Sequence, residues 1–444
     1  MTTLVVAVAL GNLLVPLNST MIVVALPALA RDLGAPVRDA AWIVTAYLVA
    51  MAALQPIAGR VGDRYGRRRV MLVALAYFTI VSLGAAASPT LPVLAFFRLQ
   101  QALAAAAVVP NGLGVLRDAL PAGGRGAQFG IVSGATGVGA SVGPLVGGLL
   151  AAIDWRAIFL VNVPVALAAL VLVRRALPVE GRGRASTRFD LVGAAALGAL
   201  LLAAAWWLST LDGPPDAPRL AILVAIGAGA WLFVRYERAR PDPALPLWLF
   251  RVRAFTAANA TIALSNLSLY GTLLALPIIL GSSLLSGLVL TMFSLPSIVL
   301  APLGGRLADR VGARLTTVVG CVALCAGLLP LAFGVPSLAP LVAALVLAGA
   351  GQALTFPSIR LASLDVLPAD HAALGSGVVS TSRYFGGMLA SVSVGVALGS
   401  GGPSTPLFVV LVVAAACAAL FGLALPGAGS STRTVPADPS TSTS

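Results

Sequence analysis

Lysine is missing from this 444-residue chain, histidine occurs once, cysteine three times, and acids number only fifteen. All 28 basic residues are therefore arginine, which reads as a coding bias towards GC-rich codons and not as chemistry. The shortage of charge says more. Charged residues make up 10% of the chain, against about 25% in soluble domains, so an ordinary water-soluble globule is excluded. Cys321, Cys325 and Cys417 sit in apolar stretches without ligand-type neighbours, which argues against both a disulfide framework and a metal site. The single histidine, His371, falls between apolar stretches and reads as a solvated side chain. No acid lies in the middle of an apolar stretch, and no carboxylate pair or nucleophile with its base occurs inside one. An enzyme is disfavoured on that ground, and no cofactor is called for.

What is present is apolar. Hydrophobic residues reach 59% and the mean hydropathy is +0.99. A helix needs roughly 20 apolar residues to cross about 30 Å of hydrocarbon, and a barrel would show weaker alternating segments, so the expected fold is an all-α membrane protein. Breaks at charged or Gly/Pro-rich punctuation give fourteen spans, over 4–30, 41–58, 70–88, 91–116, 129–151, 157–173, 190–209, 219–236, 254–279, 283–303, 315–333, 338–362, 372–399 and 405–425. The N-terminus has no basic n-region and its apolar run is too long for a secretory signal, so it reads as the first span.

The net charge of +13 could suggest nucleic acid, but the arginines sit in short loops, where the anionic cytoplasmic leaflet is the natural counterpart. With both termini cytoplasmic, the inside loops collect Arg60, Arg64, Arg67, Arg68, Arg69 and most of the rest, while the outside loops keep Arg31, Arg38, Arg156 and Arg219. That asymmetry is the positive-inside pattern and supports an even number of spans.

The chain also repeats itself. "QPIAGRVGDRYGRRR" from Gln55 returns as "APLGGRLADRVGARL" from Ala301, with Pro56, Gly59, Asp63, Arg64 and Gly66 matched by Pro302, Gly305, Asp309, Arg310 and Gly312 at a constant offset of 246. Pro110, Asp118 and Pro121 are matched in turn by Pro357, Asp365 and Pro368, at an offset of 247. Two parallel six-helix halves follow, 1–173 and 254–425, separated by a two-helix insert with cytoplasmic flanks at 174–253. The polar stretch 426–444 is expected to be a disordered tail.

The stretch "GRVGDRYGRRR" resembles the loop motif of the major facilitator superfamily, and it occurs once in each half. Asp63 can pair with an arginine or a helix N-terminus, and the glycines allow tight turning and close approach. A conformational latch is implied for Gly59, Asp63, Arg64, Gly66, Arg67, Gly305, Asp309 and Arg310; topogenic charge alone is the plainer alternative. Span five, "GATGVGASVGPLVGG", is similar to the antiporter motif of exporters, with Gly134, Gly143, Pro144, Gly147 and Gly148 in register. A generic small-residue packing face is its alternative. Arg98 stands deep in span four, where a charge costs at least ~2.5–3.5 kcal/mol. With Gln101 three residues on, it resembles the family's fourth-span motif, whose usual glycine is here Ala102.

Span one, "LNSTMIVVALP", resembles the fourteen-span drug:proton antiporters within the superfamily, except that Asn18 stands where the family carries an acid. The segments "AWIVTAYL" and "DWRAIFLVNVP" resemble the same family, and the likeness covers nearly all of residues 1 to 425, weakening at "LPIILGSSLLSGL". Proton or substrate handling is implied for Arg98, Gln101 and Asn18. Without a mid-span acid, the proton site is expected at the membrane edge, with Asp63 or Asp32 as candidates, or coupling is not to protons. Tyr47, Asn111, Asn259, Asn266, Tyr270 and Arg383 are candidate cavity residues; Asn259, Asn266 and Tyr270 share one face of span nine.

Together these features imply a monomeric exporter of small lipophilic molecules in the cell membrane, driven by protons and working by alternating access, with no nucleic-acid partner and no metal. A dedicated exporter of a neutral or anionic metabolite, or an uncoupled facilitator, stays as the alternative.

Overall fold

The structure is a computed structural model that describes residues 2–119, 125–177, 190–210, 216–240, 243–245, 247–334, 337–365, 372–398 and 404–427. Apart from one 3-10 turn at Leu247–Arg251, every regular element among them is α-helical. The first set comprises α1 (Thr2–Asp32), α2 (Val37–Tyr65), α3 (Arg67–Ala86), α4 (Leu91–Ala119), α5 (Arg125–Ile153), and the short α6 (Ala157–Leu160) running on into α7 (Asn162–Ala176). Then come α8 (Leu191–Ser209) and α9 (Ala217–Arg238). The second set comprises α10 (Arg253–Leu280), α11 (Ser283–Ser294) continued by α12 (Pro296–Val311), α13 (Ala313–Ala332), α14 (Leu338–Asp365), α15 (Ala372–Leu398) and α16 (Thr405–Gly422).

Thirteen of the resulting rods are long and apolar enough to cross a bilayer. The fourteenth is α15, which is 27 residues long and carries Arg383 and a run of Ser and Gly residues. Its lower apolarity has a physical reason, because it packs between α2 and α10 inside the bundle. At the other extreme α9 leaves most of its circumference uncovered, with Leu220, Val224, Trp231 and Leu232 exposed, as a lipid-facing helix must.

The packing repeats as the sequence does. In the first set α1 packs on α5 and α7, α4 on α2 and α3, and α3 on α7; in the second, α10 packs on α15 and α16, α14 on α12 and α13, and α13 on α16. The main contacts between the sets are α2 against α15 and α5 against α11, which exchange under the same symmetry; α1 also touches α10 and α11, and α5 touches α12. The extra helix α8 touches both α2 and α15, so the insert lies across one seam.

Two expectations need adjusting. The arginine-rich stretch is not a loop, because α2 continues to Tyr65 and only Gly66 interrupts the chain before α3. Gly66 has φ 90° and Gly312, its repeat mate, φ 92°, a left-handed conformation that glycine adopts without a Cβ penalty. Their N–H groups bond to Gly62 O and Ala308 O, so both copies of the motif turn in the same way. Spans six and ten are each broken rods, at Val161 and Leu295, just ahead of Pro164 and Pro296; a proline ring supplies no N–H to the helical ladder. The tail beyond Gly427 and His371 lie outside the described residues.

Candidate functional site

Arg98 is buried completely in α4. Its Nη1 donates to Gln101 Oε1 at 2.9 Å, and Gln101 Nε2 in turn donates to Ser82 Oγ on α3 at 2.9 Å. The guanidinium lies 4.3 Å from the ring centroid of Tyr47 on α2, in cation–π contact. Two of its nitrogens, Nε and Nη2, have no hydrogen-bond partner. Among the described residues no carboxylate pairs with it.

A second arginine enters from the other set. On α15, Arg383 Nη2 donates to Tyr384 Oη at 2.6 Å, with the guanidinium 4.6 Å from the Tyr384 ring and 5.8 Å from the ring of Phe356 on α14. Its Nε is also unpartnered. Tyr47 faces Arg98 and Tyr384 faces Arg383. Tyr270 packs its ring over Gly387, which also meets Leu48 of α2. Aromatic faces from α2 and α15 thus cover one arginine in each set, and Tyr270 of α10 packs beside α15 at Gly387. Tyr47, Arg98 and Tyr384 are each at most 1% exposed, so this conformation is closed over them. In a low-dielectric interior, cations without counter-ions create a strongly positive potential, and an unsatisfied buried donor costs about 1–3 kcal/mol.

Asn18 on α1 lies in a separate amide pair, accepting from Asn162 Nδ2 at 3.1 Å; both side chains are buried. Asn18 Nδ2 and Asn162 Oδ1 remain without partners. On α10, Asn259 Oδ1 accepts from Ser382 Oγ of α15 at 2.9 Å, while Asn266 Nδ2 bonds within its own helix to Ile262 O. These two act as fastening for α10 and α15, while Tyr270 of the same face packs at Gly387.

Asn111 serves a different contact. Its Nδ2 donates to Ala58 O of α2 at 3.0 Å and to Ala107 O at 2.7 Å, and a Cβ on Gly62 would fall 1.4 Å from Asn111 Oδ1. Gly59 approaches Pro110 in the same contact, and the Arg67 guanidinium lies over Gly114. The motif glycines of the first copy therefore let α2 dock on α4. In the second copy Gly304 meets the Leu354 backbone, whereas a Cβ on Gly305 would find open space. Arg64 and Arg310 are exposed. The side chains of Asp63 and Asp309 and the surroundings of Gly134 lie outside what is described.

The antiporter-like helix α5 has two working faces. A Cβ on Gly143 would strike Thr20 Oγ1 at 1.9 Å and one on Gly147 the Met21 Cα at 2.7 Å, so these two seat α1. Gly148 and the Pro144 carbonyl instead meet α11, where Gly148 and Gly287 exclude side chains from each other. Ser141 Oγ donates to Ser294 O, at the break between α11 and α12, at 2.8 Å. Across the other seam, Thr45 Oγ1 donates to Ser391 Oγ at 2.8 Å, Ser391 Oγ to Ala41 O at 3.1 Å and Thr381 Oγ1 to Ala52 O at 2.9 Å. Both seams are fastened along the half of each in which α2 begins and α11 runs, with the Ser141 bond at the last residue of α11 and the Thr381 bond midway along α2. Where α2 begins, Asp32 closes α1 onto the next helix pair, accepting from Trp155 Nε1 at 2.9 Å and Arg156 Nη1 at 2.8 Å.

The sequence did not single out Phe356, Ser82, Ser141 or Ser391, which are ordinary helix residues until a neighbouring rod is set beside them.

Comparison with known proteins agrees with this architecture. The sequence profile of the Major Facilitator Superfamily matches residues 8–284 and again 256–442. The tetracenomycin C resistance and export protein of Streptomyces glaucescens is 32% identical over 413 residues, covering 89% of this chain and 75% of that protein. The multidrug resistance protein Stp of Mycobacterium tuberculosis (strain ATCC 25618 / H37Rv) is 32% identical over 400 residues, covering 86% and 73%. The uncharacterized MFS-type transporter YvkA of Bacillus subtilis (strain 168) is 31% identical over 405 residues, covering 89% and 90%. Among solved structures, the inward open xylose transporter XylE from E. coli superposes with a TM-score of 0.68 over 96% of this chain and 97% of that one, at 14% identity, which speaks for the fold alone. The fold and its paired halves define a multi-pass membrane transporter for small molecules. The chain belongs to the major facilitator superfamily.

Proposed function

We propose that this transporter exports small lipophilic molecules by alternating access, as a fourteen-span drug antiporter, and that its binding site prefers neutral or anionic substrates. The observation that carries the reading is the pair of arginines at the seam, Arg98 buried and Arg383 half-buried, each with an unpartnered N–H group and an aromatic wall, and with no carboxylate among the described neighbours. Aromatic rings suit a planar apolar body, and the free donors suit a carbonyl, enolate or carboxylate oxygen. Rocking of the halves about this site would expose it to either side in turn. The resistance and export functions named for two relatives support the outward direction.

With both termini cytoplasmic, as the arginine asymmetry favours, the fastened half of the seams faces outward and the conformation is closed to the exterior. The duplicated glycine-and-arginine motif lies at the opposite end, where it serves as the latch. Proton motive force is the proposed driver, worth about 2.3 kcal/mol per charge per 100 mV. The test is accumulation of a neutral lipophilic drug in a host stripped of its own efflux pumps. Expression of the chain should lower accumulation severalfold, and a protonophore should restore it. Unchanged accumulation on expression would refute export, and lowered accumulation that a protonophore leaves untouched would refute proton drive.

A further inference from the structure

Two acids close the base of the insert. Asp190 is the N-cap of α8, and its Oδ1 accepts from Gly193 N at 2.7 Å and from Tyr236 Oη at 2.9 Å. Glu237, near the end of α9, accepts from Leu245 N through Oε2 at 2.9 Å. Asp190 is 7% exposed and Glu237 2%. The remaining oxygen of each, Asp190 Oδ2 and Glu237 Oε1, is buried without a partner. These two oxygens face one another across Gly193: a Cβ there would lie 2.3 Å from Glu237 Oε1 and 2.4 Å from Asp190 Oδ2, and the two carboxyls are within hydrogen-bonding reach.

An ionised carboxylate only accepts hydrogen bonds. Two of them, buried and face to face, would repel and leave both oxygens unsatisfied. One proton between them removes the repulsion and satisfies both. We propose that Asp190 and Glu237 form a proton-binding site in the insert, holding a single shared proton. Among the described residues, the charged and titratable groups facing it are Arg60 of α2, whose field reaches Glu237, and Tyr236 of α9 with Arg240 beside it.

The site is placed to be felt elsewhere. Ile57 of α2, Ala194 of α8 and Ala244 form one small apolar cluster with Val61 against it, and Arg60 Nη2 donates to Pro243 O at 3.4 Å. The connector at 243–245 is therefore held at one end by Glu237 and at the other by the segment of α2 that carries the motif. Loss of the shared proton leaves two like charges at the root of that connector and loosens it from α2. The two helices added to the paired halves thus acquire a task, and a proton is held in a chain whose first span has no acid at its middle.

Infrared difference spectroscopy on the purified full chain in lipid nanodiscs, titrated with acid and base, tests the site. The parent should show a protonated carboxyl band that disappears as pH rises. Glu237→Gln and Asp190→Asn should each abolish it, and Asp32→Asn should leave it. The Gln side chain can still accept from Leu245 N while donating to Asp190 Oδ2, so the variant should stay folded. A second readout uses Ala244→Cys with Cys321, Cys325 and Cys417 replaced by Ala. Raising pH should speed maleimide labelling at least fivefold more with native Glu237 than with Glu237→Gln. A carboxyl band that persists in both single variants, or labelling ratios identical at all pH values, would overturn the proposal.

Discussion

Arg98 sets the character of the site. Burying a guanidinium with one hydrogen bond and one aromatic face recovers only part of its lost hydration, so the residue is costly to the fold and Arg98→Ala should not lower the thermal midpoint. Transport of a neutral or anionic substrate should fall at least tenfold in the same variant; a calorimetric scan beside a transport assay separates the two effects. Asn18 offers the converse change. Asn18→Asp keeps an acceptor for Asn162 Nδ2 and adds a titratable acid, so export of a lipophilic quaternary cation should rise in that variant while expression is retained. Arg98 was legible in the sequence because one charge in an apolar span has no ordinary explanation. Its wall was less so. Tyr384 sat beside Arg383 in plain view, but that Tyr47 covers Arg98 depends on how α2 packs against α4, and no local pattern encodes that.

Helices were the most legible element, because twenty apolar residues in a bilayer have few alternatives. Each of the fourteen expected spans corresponds to a rod, and the ends differ by a few residues, most visibly where α2 runs on through the motif to Tyr65. That run-on was hidden because glycine, arginine and aspartate beyond an apolar stretch look like a loop, while inside the protein Asn111 and Pro110 of α4 supply the contact that keeps them helical. Asn111, expected as a cavity residue, bonds to a backbone carbonyl of α2 as well as to its own helix, a placement that depends on the neighbouring rod. Gly62→Leu should push α2 off α4 and cost about 1–3 kcal/mol of stability, read as a lower thermal midpoint; an unchanged midpoint would contradict the docking. Asp63→Asn should slow turnover severalfold with substrate binding and expression kept, and equal rates would sink the latch reading. On α5, Gly148→Leu should block closure against α11 and abolish transport, whereas Gly137→Ala, where a Cβ meets nothing within 4 Å, should be silent in the same assay.

At the scale of the molecule, two repeated halves meet along seams fastened over one half of their length, with the added helix α8 lying across one of them. The repeat was visible as a near-constant offset between motifs, and the structure gives it a geometric form in the twin left-handed glycines Gly66 and Gly312. The proposed orientation, with both termini cytoplasmic, can be checked with a membrane-impermeant thiol reagent: with the native cysteines replaced by Ala, Ala217→Cys should label from outside intact cells and Arg251→Cys only after permeabilisation. The reverse pattern would invert the topology. The most direct measurement is uptake into inside-out vesicles bearing the parent protein, with and without an imposed pH gradient, of three lipophilic probes matched in size: one neutral, one carrying an aromatic carboxylate, one a quaternary ammonium. Gradient-driven uptake of the neutral and carboxylate probes, with the cation left outside, is the predicted result. Robust uptake of the cation would contradict a site built on two unpaired arginines.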